Sequence, residues 1–396
     1  MHSISVKLPS SKGHVMAGTL DMPDTEPVAF AMFAHCFTGS RFTPAAARVS
    51  KTLAEKGIAC LRFDFPGLGQ SGGNFHETSF SENVLDIVAA NEWLKENYSA
   101  PQLLIGHSLG GAASLKAATM IKNLRAVATI GAPFDPAHAV LHFADRISEV
   151  DETGAVTLTL GGRDITISRE FLEDLAETNP EAYLPTLRKP LLILHSPIDQ
   201  TVGVDNAQNI FLMTRYPKSL VALDKVDHLC TKAGAAQLAA EIIHTWVQQH
   251  IIPENAALTE EAIPEGVAMS RSTKAGAFTD VIQTGTHTIS TDREKSLGGK
   301  NLGLSPTSLI VSALAAATSQ AIRAAAKESR IRSLDDVRVT VSRIVSANSQ
   351  VHLRREISLI GDLHDEQRQE LFAAASNNDV QAMLAGTVII EDLMTS

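Results

Sequence analysis

The sequence predicts two domains. The first is of the α/β class, with a doubly wound, mostly parallel sheet and a small cap, and the second is of the α+β class. Three observations support this prediction: the 396 residues exceed one ordinary domain, apolar runs alternate with helical segments through residues 1–250, and an acidic connector follows. The net charge of −10 disfavours nucleic acid or an anionic membrane as a partner.

The strands of the first domain are predicted from short apolar runs that alternate with segments of helical period, such as residues 80–98. These runs are VAFAMFAH, IACLRFDF, QLLIGHS, AVATIGAP, PLLILHS and SLVALDK. Continuous apolar runs of this length are typical of parallel strands that are covered on both faces by crossover helices. The runs therefore predict the doubly wound sheet.

Residues 134–185 interrupt this alternation. They contain a hairpin-like stretch, VTLTLGGRDITIS, and then a helical one, REFLEDLAE, inserted between two sheet strands. We expect this insertion to cover the top of the sheet as a cap.

The domain boundary is predicted within residues 251–270, IIPENAALTEEAIPEGVAMS, which are rich in Pro and Glu and contain no Lys or Arg. Residues 271–396 then form the second domain. They predict strands over 269–290, a long helix opened by Ser305 and Pro306, two strands, a helix after Asp365 and a final strand TVIIEDL.

The sequence also favours a cytoplasmic protein without a cofactor or metal. Cys36, Cys60 and Cys230 are too few and too scattered for a disulfide framework or a zinc site, so we expect reduced thiols. The N-terminus has no charged stub followed by an apolar core, and polar side chains interrupt residues 309–326, the longest apolar stretch. We therefore expect no export signal, and we expect a buried globular helix at 309–326.

The candidate nucleophile is Ser108. The pentapeptide Gly106–Gly110 follows the apolar strand QLLI and precedes the helical AASLKAATMI, so it lies where a strand turns sharply into a helix. This is the context of the G-x-S-x-G nucleophile elbow, although the bare motif is only moderate evidence and a helix-capping serine is the alternative.

Two further loops supply a base and an acid. Asp199 follows the strand PLLILHS and His228 follows the strand SLVALDK, which gives the order Ser, Asp, His at the carboxyl ends of parallel strands. Asp224 and Asp227 compete with Asp199 as the acid, but they flank His228 closely in sequence. Serine needs an imidazole to accept its proton, and that imidazole needs an acid to fix its tautomer.

The oxyanion donors are assigned to the backbone N–H groups of Phe37 and Leu109. Leu109 follows the candidate nucleophile, and Phe37 lies in the early loop His35-Cys36-Phe37-Thr38-Gly39. A plain turn is the alternative interpretation of that loop.

With these motifs, residues 1–250 resemble the α/β-hydrolase superfamily, in particular carboxylesterases similar to bacterial cinnamoyl and feruloyl esterases with an HGFTG-type oxyanion loop. The resemblance implies hydrolysis of small, short-acyl or aryl esters through an acyl-enzyme, with Ser108, Asp199 and His228 as the triad. Cys36 replaces the usual glycine of the loop. A peptidase or a thioesterase of the same fold is the alternative, and the cap is implied to determine substrate choice.

The second domain resembles the OsmC-like family through Ser296–Gly303, SLGGKNLG, and the helix that follows. That family reduces organic hydroperoxides with two cysteines. Here the first position lies in Ala315–Thr318, the second reads Asn378, Ser308 stands at a usual glutamate, and no cysteine follows Cys230. A thiol peroxidase needs a thiolate, so a peroxide-detoxifying role is disfavoured.

The resemblance implies that this degenerate domain serves homodimerisation or shapes the esterase site. OsmC-like domains are intertwined dimers, and the long helix carries an apolar face suited to such a core or to a core within one chain. That face comprises Leu309, Ile310, Ala313, Leu314, Ala317 and Ile322.

Overall fold

The structure is a computed structural model. It describes residues 1–137, 150, 154–160, 163–251, 263, 264, 266–273, 275–345, 351–386 and 388–392. Parts of the predicted cap and most of the predicted connector lie outside these residues. The chain forms two compact units, Met1–Ala277 with Val281–Ser290, and Phe278–Asp280 with Thr291–Ser396. The boundary within 251–270 stays a prediction.

The first unit is built on an eight-stranded sheet of order β1-β2-β4-β3-β5-β6-β9-β10. Its strands are β1 (His2–Pro9), β2 (Val15–Met22), β3 (Ala29–Ala34), β4 (Ile58–Phe63), β5 (Leu103–His107), β6 (Ala126–Ile130), β9 (Leu191–His195) and β10 (Lys218–Ala222). All six predicted apolar runs form strands, and these pair in parallel. β1 and β2, which the sequence analysis did not predict, add an antiparallel edge.

β3 to β6 and β9 are buried along their whole length, because helices cover both faces of this sheet. The helices of the first unit are α1 (Pro44–Glu55), α2 (Phe80–Asn97), α3 (Leu109–Met120), α4 (Arg169–Glu177), α5 (Pro180–Tyr183), α6 (Asp205–Met213) and α7 (Ala235–Val247). α1 and α7 share one core with the sheet, formed by side chains such as Leu53 and Ile243 against Phe33. The doubly wound α/β-hydrolase architecture is therefore confirmed.

The inserted segment contains the predicted hairpin and helix. β7 (Ala155–Leu160) pairs with β8 (Arg163–Ser168) in antiparallel fashion, and α4 follows directly. The Ser168 side chain caps α4 by accepting the N–H of Phe171 at 3.1 Å. Residues 138–149, 151–153, 161 and 162 of the predicted cap lie outside the described residues.

The chain continues with a three-stranded sheet of β11 (Met269–Ser272), β12 (Asp280–Thr284) and β13 (His287–Thr291), which belongs to the first unit except for Asp280 and Thr291. It continues with α8 (Pro306–Glu328), the antiparallel pair β14 (Leu334–Val345) and β15 (Val351–Gly361), α9 (Asp365–Ala374) and α10 (Asp379–Ala385). Ile322 of α8 and Leu371 of α9 form a small core with Leu363 and Ala375. This order of elements is the predicted α+β arrangement, except at its end.

Two expectations for this part need correction. Within the predicted final strand, the described residues 388–392 have no regular structure, and Ile389 is 82% exposed. The predicted buried helix is buried on one face only, at Leu314, Thr318, Ile322 and Ala326, whereas Ile310 is 50% exposed. Ser305 does cap this helix as predicted, accepting the N–H of Ser308 at 3.1 Å.

Among the described helices, α8 alone is long and apolar enough to cross a membrane. This criterion uses only length and composition, and core helices of soluble proteins meet it as well.

Candidate active site

The turn between β5 and α3 holds Ser108 in a strained conformation. Its φ of 54° and ψ of −130° are uncommon for a residue with a side chain. The flanking glycines make this turn possible, because a Cβ on Gly110 would lie 2.1 Å from the His35 carbonyl oxygen and one on Gly106 would lie 2.5 Å from that of Gly110. The G-x-S-x-G spacing therefore places Ser108 at the carboxyl end of the sheet.

The structure brings Ser108, His228 and Asp199 into one chain of hydrogen bonds. His228 Nδ1 lies 2.7 Å from Asp199 Oδ2, and His228 Nε2 lies 2.9 Å from Ser108 Oγ. Because a carboxylate only accepts, Nδ1–H donates to Asp199, which leaves Nε2 to accept from the serine hydroxyl. This arrangement can remove the Ser108 proton when the hydroxyl attacks a carbonyl carbon.

Asp199 is held in place by its own loop. Its Oδ1 accepts the backbone N–H of Thr201 at 2.9 Å and that of Val202 at 3.0 Å. Burial by itself would raise the pKa of Asp199, but the hydrogen bonds from His228 and from these two backbone groups outweigh it and lower the pKa below its ordinary value. Asp199 is therefore ionised at neutral pH and can accept the hydrogen bond from His228 Nδ1–H.

The two competing acids lie elsewhere. Asp227 is exposed and accepts the N–H groups of Thr231 and Lys232, as a turn residue does, and Asp224 is also exposed. Neither is paired with the His228 ring.

The early loop after β3 is fixed by His35 and Cys36. His35 Nδ1–H donates to the Cys36 carbonyl at 2.8 Å, and His35 Nε2 accepts the N–H of Phe65 at 3.3 Å. Burial raises the pKa of the Cys36 thiol to about 11, so this thiol stays protonated and does not compete as a nucleophile. These hydrogen bonds give the loop a defined conformation just before Phe37, the residue that follows Cys36.

A buried ion pair fixes the chain that leaves this loop. The Arg41 guanidinium pairs with Asp64, and the Arg41 backbone N–H donates to Asp64 Oδ1 at 2.6 Å. Asp64 also accepts the N–H of Gln70 at 2.9 Å. The loop is thus attached to the glycine turn after β4, and the role of that turn is structural.

An apolar pocket lies beside Ser108, with a volume of about 280 Å³ that includes open solvent at its mouth. Both predicted oxyanion donors, Phe37 and Leu109, line it. Its other lining residues are His35, Cys36, Phe65, Leu68, Phe75, Phe80, Asn83, Gly110 and Ala113.

The inserted segment contacts this pocket through Phe171 of α4, which the sequence analysis did not single out. The Phe171 ring lies 5.7 Å from the Phe37 ring and 5.3 Å from the Phe75 ring, centroid to centroid. Asp174 of the same helix accepts the Ser81 N–H at 2.6 Å and its hydroxyl at 2.7 Å. α4 is thereby attached to the start of α2 and covers the ring of the proposed oxyanion residue.

His107 is a second residue that the sequence analysis did not single out. It is fully buried, and its Nε2–H donates to the His228 backbone carbonyl at 2.8 Å. Burial, assisted by the neighbouring His228, lowers the pKa of His107 to about 4. Neutral His107 therefore fixes the loop that carries His228.

His107→Gln is expected to make the protein less sensitive to acid. Because the folded-state pKa of about 4 lies below the ordinary 6.5, the unfolded chain takes up a proton first as the pH falls. Stability is thus complete above pH 6.5 and falls by up to about 3 kcal/mol towards pH 4. Glutamine can keep a donor near the His228 carbonyl and does not titrate. Urea unfolding across this range should show a shallower loss for the variant, and equal losses would contradict the assignment.

Comparisons with known proteins agree with this fold. The family model described as serine aminopeptidase, S33, matches residues 42–255, and the OsmC-like protein model matches residues 298–380. The crystal structure of the esterase domain from a Rhodothermus marinus protein is 42% identical, with a TM-score of 0.52, and the match covers 63% of this chain and 99% of that one. Est1E from Butyrivibrio proteoclasticus, solved with ferulic acid bound, is 22% identical with a TM-score of 0.51, covers 62% and 98%, and shares the fold.

Among curated proteins, the chain is similar to the human mitochondrial palmitoyl-protein thioesterase ABHD10, with 29% identity over 133 residues. That match covers 31% of this chain and 42% of the relative, so the chain spans less than half the length of the curated relatives it matches. Both resemblances noted in the sequence are confirmed. The chain belongs to the serine aminopeptidase S33 family of α/β-hydrolases and carries an OsmC-like domain C-terminal to its hydrolase domain in the sequence.

Proposed function

We propose that this hydrolase is a serine carboxylesterase that cleaves small, short-acyl or aryl esters. The observation that carries the proposal is the hydrogen-bonded chain from Ser108 through His228 to Asp199, which lies beside an apolar pocket. In it, Ser108 is the nucleophile, His228 is the general base, and Asp199 orients the imidazole.

The reaction proceeds in two halves. His228 Nε2 takes the Ser108 proton as Oγ attacks the ester carbonyl carbon, and the backbone N–H groups of Phe37 and Leu109 stabilise the oxyanion that forms. His228 then returns the proton to the leaving alcohol, which yields an acyl-enzyme. Water, deprotonated by the same imidazole, attacks the acyl carbon and releases the acid and free Ser108.

The pocket favours an ester over a peptide as substrate. Its described lining includes no Asp or Glu, so it offers no carboxylate to bind the ammonium group of a peptide N-terminus. The similarity to an esterase domain, at 42% identity, supports the same choice. A thioesterase is the second candidate because of the similarity to the thioesterase ABHD10.

A substrate panel tests the proposal. It contains 4-nitrophenyl esters from acetate to decanoate, methyl ferulate, acetyl and palmitoyl thioesters, and aminoacyl 4-nitroanilides. We expect turnover of the short oxygen esters with a fall in kcat/KM as the acyl chain outgrows the pocket. Preferential cleavage of thioesters would support the second candidate, and cleavage of anilides alone would indicate a peptidase.

For the OsmC-like domain we propose homodimerisation, or shaping of the esterase site, rather than peroxide chemistry. No cysteine follows Cys230, and Asn378 instead caps α10 by accepting the N–H of Gln381 at 2.8 Å. Ile310 on α8 and Ile389 near the end of the described chain are exposed apolar side chains that a second copy could cover.

The dimer proposal predicts a mass in solution of twice 42.3 kDa. Ile310→Glu places a charge on the exposed face of α8 and is expected to shift the protein to the monomer, because burying an unpaired carboxylate is costly. Light scattering after gel filtration measures both masses. A monomeric wild-type chain, or a dimer that Ile310→Glu and Ile389→Glu both leave intact, would contradict the proposal.

A further inference from the structure

His195 is the last residue of β9 and precedes the loop that carries Asp199. It is 1% exposed, and its Nε2 lies 2.8 Å from the Val202 carbonyl oxygen and 3.9 Å from Asp199 Oδ2. A carbonyl and a carboxylate only accept hydrogen bonds, so Nε2 carries a proton and donates it to the Val202 carbonyl. His195 is thereby joined to the far end of the loop that holds the acid of the triad.

Val202 is held on both sides of its backbone. Its carbonyl accepts from His195, and its N–H donates to Asp199 Oδ1 at 3.0 Å, beside the Thr201 N–H at 2.9 Å. These two bonds occupy Oδ1, and Oδ2 accepts the His228 Nδ1–H at 2.7 Å. The position of Val202 therefore sets the direction of the carboxylate, and the hydrogen bond from His195 fixes that position.

The loop of His228 is held in the same way. His107 is the last residue of β5, and its Nε2–H donates to the His228 carbonyl at 2.8 Å. In His107 and His195 alike, Nδ1 is shielded from solvent and has no hydrogen-bond partner among the described residues. Such an unmade bond is unfavourable, and the equally buried His35 uses both of its ring nitrogens. An imidazole at position 195 is therefore explained by what its Nε2 holds.

We propose that His195 is a positioning residue of the triad, which keeps the Asp199 carboxylate on His228 by fixing the Val202 carbonyl. Its Nε2–H group is too far from Oδ2 for a hydrogen bond, but it places a partial positive charge 3.9 Å from the carboxylate. His195 acts through Asp199 and takes no part in the proton transfer itself. The inference rests on the proposed function, since it concerns the same triad.

Two polar variants separate this role from simple packing. His195→Gln places its amide nitrogen near the position of the imidazole Nε2 and can still donate to the Val202 carbonyl, whereas the shorter His195→Asn cannot reach it. With 4-nitrophenyl acetate, we expect His195→Asn to lower kcat by at least about tenfold with KM little changed, because a displaced catalytic group slows the chemical step. His195→Gln should stay within about threefold of wild type. Equal losses in both variants, or no loss in His195→Asn, would overturn the proposal.

A double-mutant cycle shows whether the effect passes through Asp199. In the Asp199→Asn background, His195→Asn should change the single-turnover rate of acylation by less than about twofold, because the group that it positions is already lost. A further loss of about tenfold in that background would overturn the proposal. If His195→Asn fails to fold, His195→Leu, which also lacks a donor, takes its place with the same expected losses.

The matched control is His244→Asn, at a half-buried histidine of α7 whose Nε2 lies 2.8 Å from the Gln248 side-chain nitrogen. It should keep the wild-type kcat, since it is not part of the triad loops. A loss equal to that of His195→Asn would contradict a specific role for His195.

The rate of labelling by a fluorophosphonate separates this inference from the proposed function, because the reagent needs an activated serine but no ester turnover. His195→Asn should slow the labelling of Ser108 by at least about tenfold, and His195→Gln should not. An unchanged rate in His195→Asn would reject the role of His195 even if esters are cleaved. Slower labelling of His195→Asn alone, in a protein that cleaves no ester, would support this role and reject the esterase function.

Discussion

Ser108→Ala is expected to lower kcat for 4-nitrophenyl acetate by at least about 10⁴-fold, because losing the nucleophile of a triad removes nearly all of the catalysis that the triad supplies. The hydroxyl that His228 Nε2 contacts at 2.9 Å is gone, so no acyl-enzyme can form. The strained backbone of residue 108 does not depend on that hydroxyl, and the Tm should stay close to that of wild type. Steady-state hydrolysis, the pre-steady-state burst and thermal melting are the measurements.

Ser114→Ala is the matched control for this prediction. Ser114 is fully buried on α3, a few residues after Ser108, and its hydroxyl donates to the Gly110 carbonyl at 2.7 Å. The variant should keep kcat within about tenfold of wild type, since its hydrogen bond supports the helix and not the reaction. Residual activity of Ser108→Ala within tenfold of wild type would contradict the assignment of the nucleophile.

Asp199→Asn is expected to lower kcat by about 10⁴-fold with little change in structure. Oδ1 of residue 199 accepts two backbone N–H groups, so the amide oxygen of an asparagine stays on that side and its NH₂ group faces His228 Nδ1. The imidazole must then accept at Nδ1 and carry its proton at Nε2, where it can no longer take the Ser108 proton. The pH profile of kcat and the burst amplitude measure this loss.

Asp227→Asn is the control that decides between Asp199 and Asp227 as the acid of the triad. Asp227 stabilises the turn to Thr231 and Lys232 and is not paired with the His228 ring, so this variant should keep most of the activity. A larger loss for Asp227→Asn than for Asp199→Asn would transfer the role of the acid to Asp227.

The parts of the fold that the sequence predicts are those whose signal is local. Each parallel strand is a continuous apolar run that is buried on both faces, so composition alone predicts β3, β5 and β9. β1 and β2 were missed because half of the residues of β1 face outward and their order depends on pairing with each other and with β4. The segment at 388–392 has strand composition but no partner strand in the described chain, so it stays irregular.

The candidate site divides in the same way. Ser108, Asp199 and His228 could be chosen from the sequence because each follows a strand, and the carboxyl ends of parallel strands meet at one edge of a sheet. His107 and Phe171 carry no such signal. Their importance depends on contacts with the His228 carbonyl and with the Phe37 ring, which only the folded chain brings together.

The most direct measurement of the central claim is the mass of the protein after treatment with a fluorophosphonate, which reacts with a serine that an imidazole activates. The account predicts one phosphonyl adduct per chain, located by peptide mapping on the peptide that contains Ser108, and none in Ser108→Ala under the same conditions. No adduct on the wild-type protein, or an adduct on another serine that persists in Ser108→Ala, would contradict it.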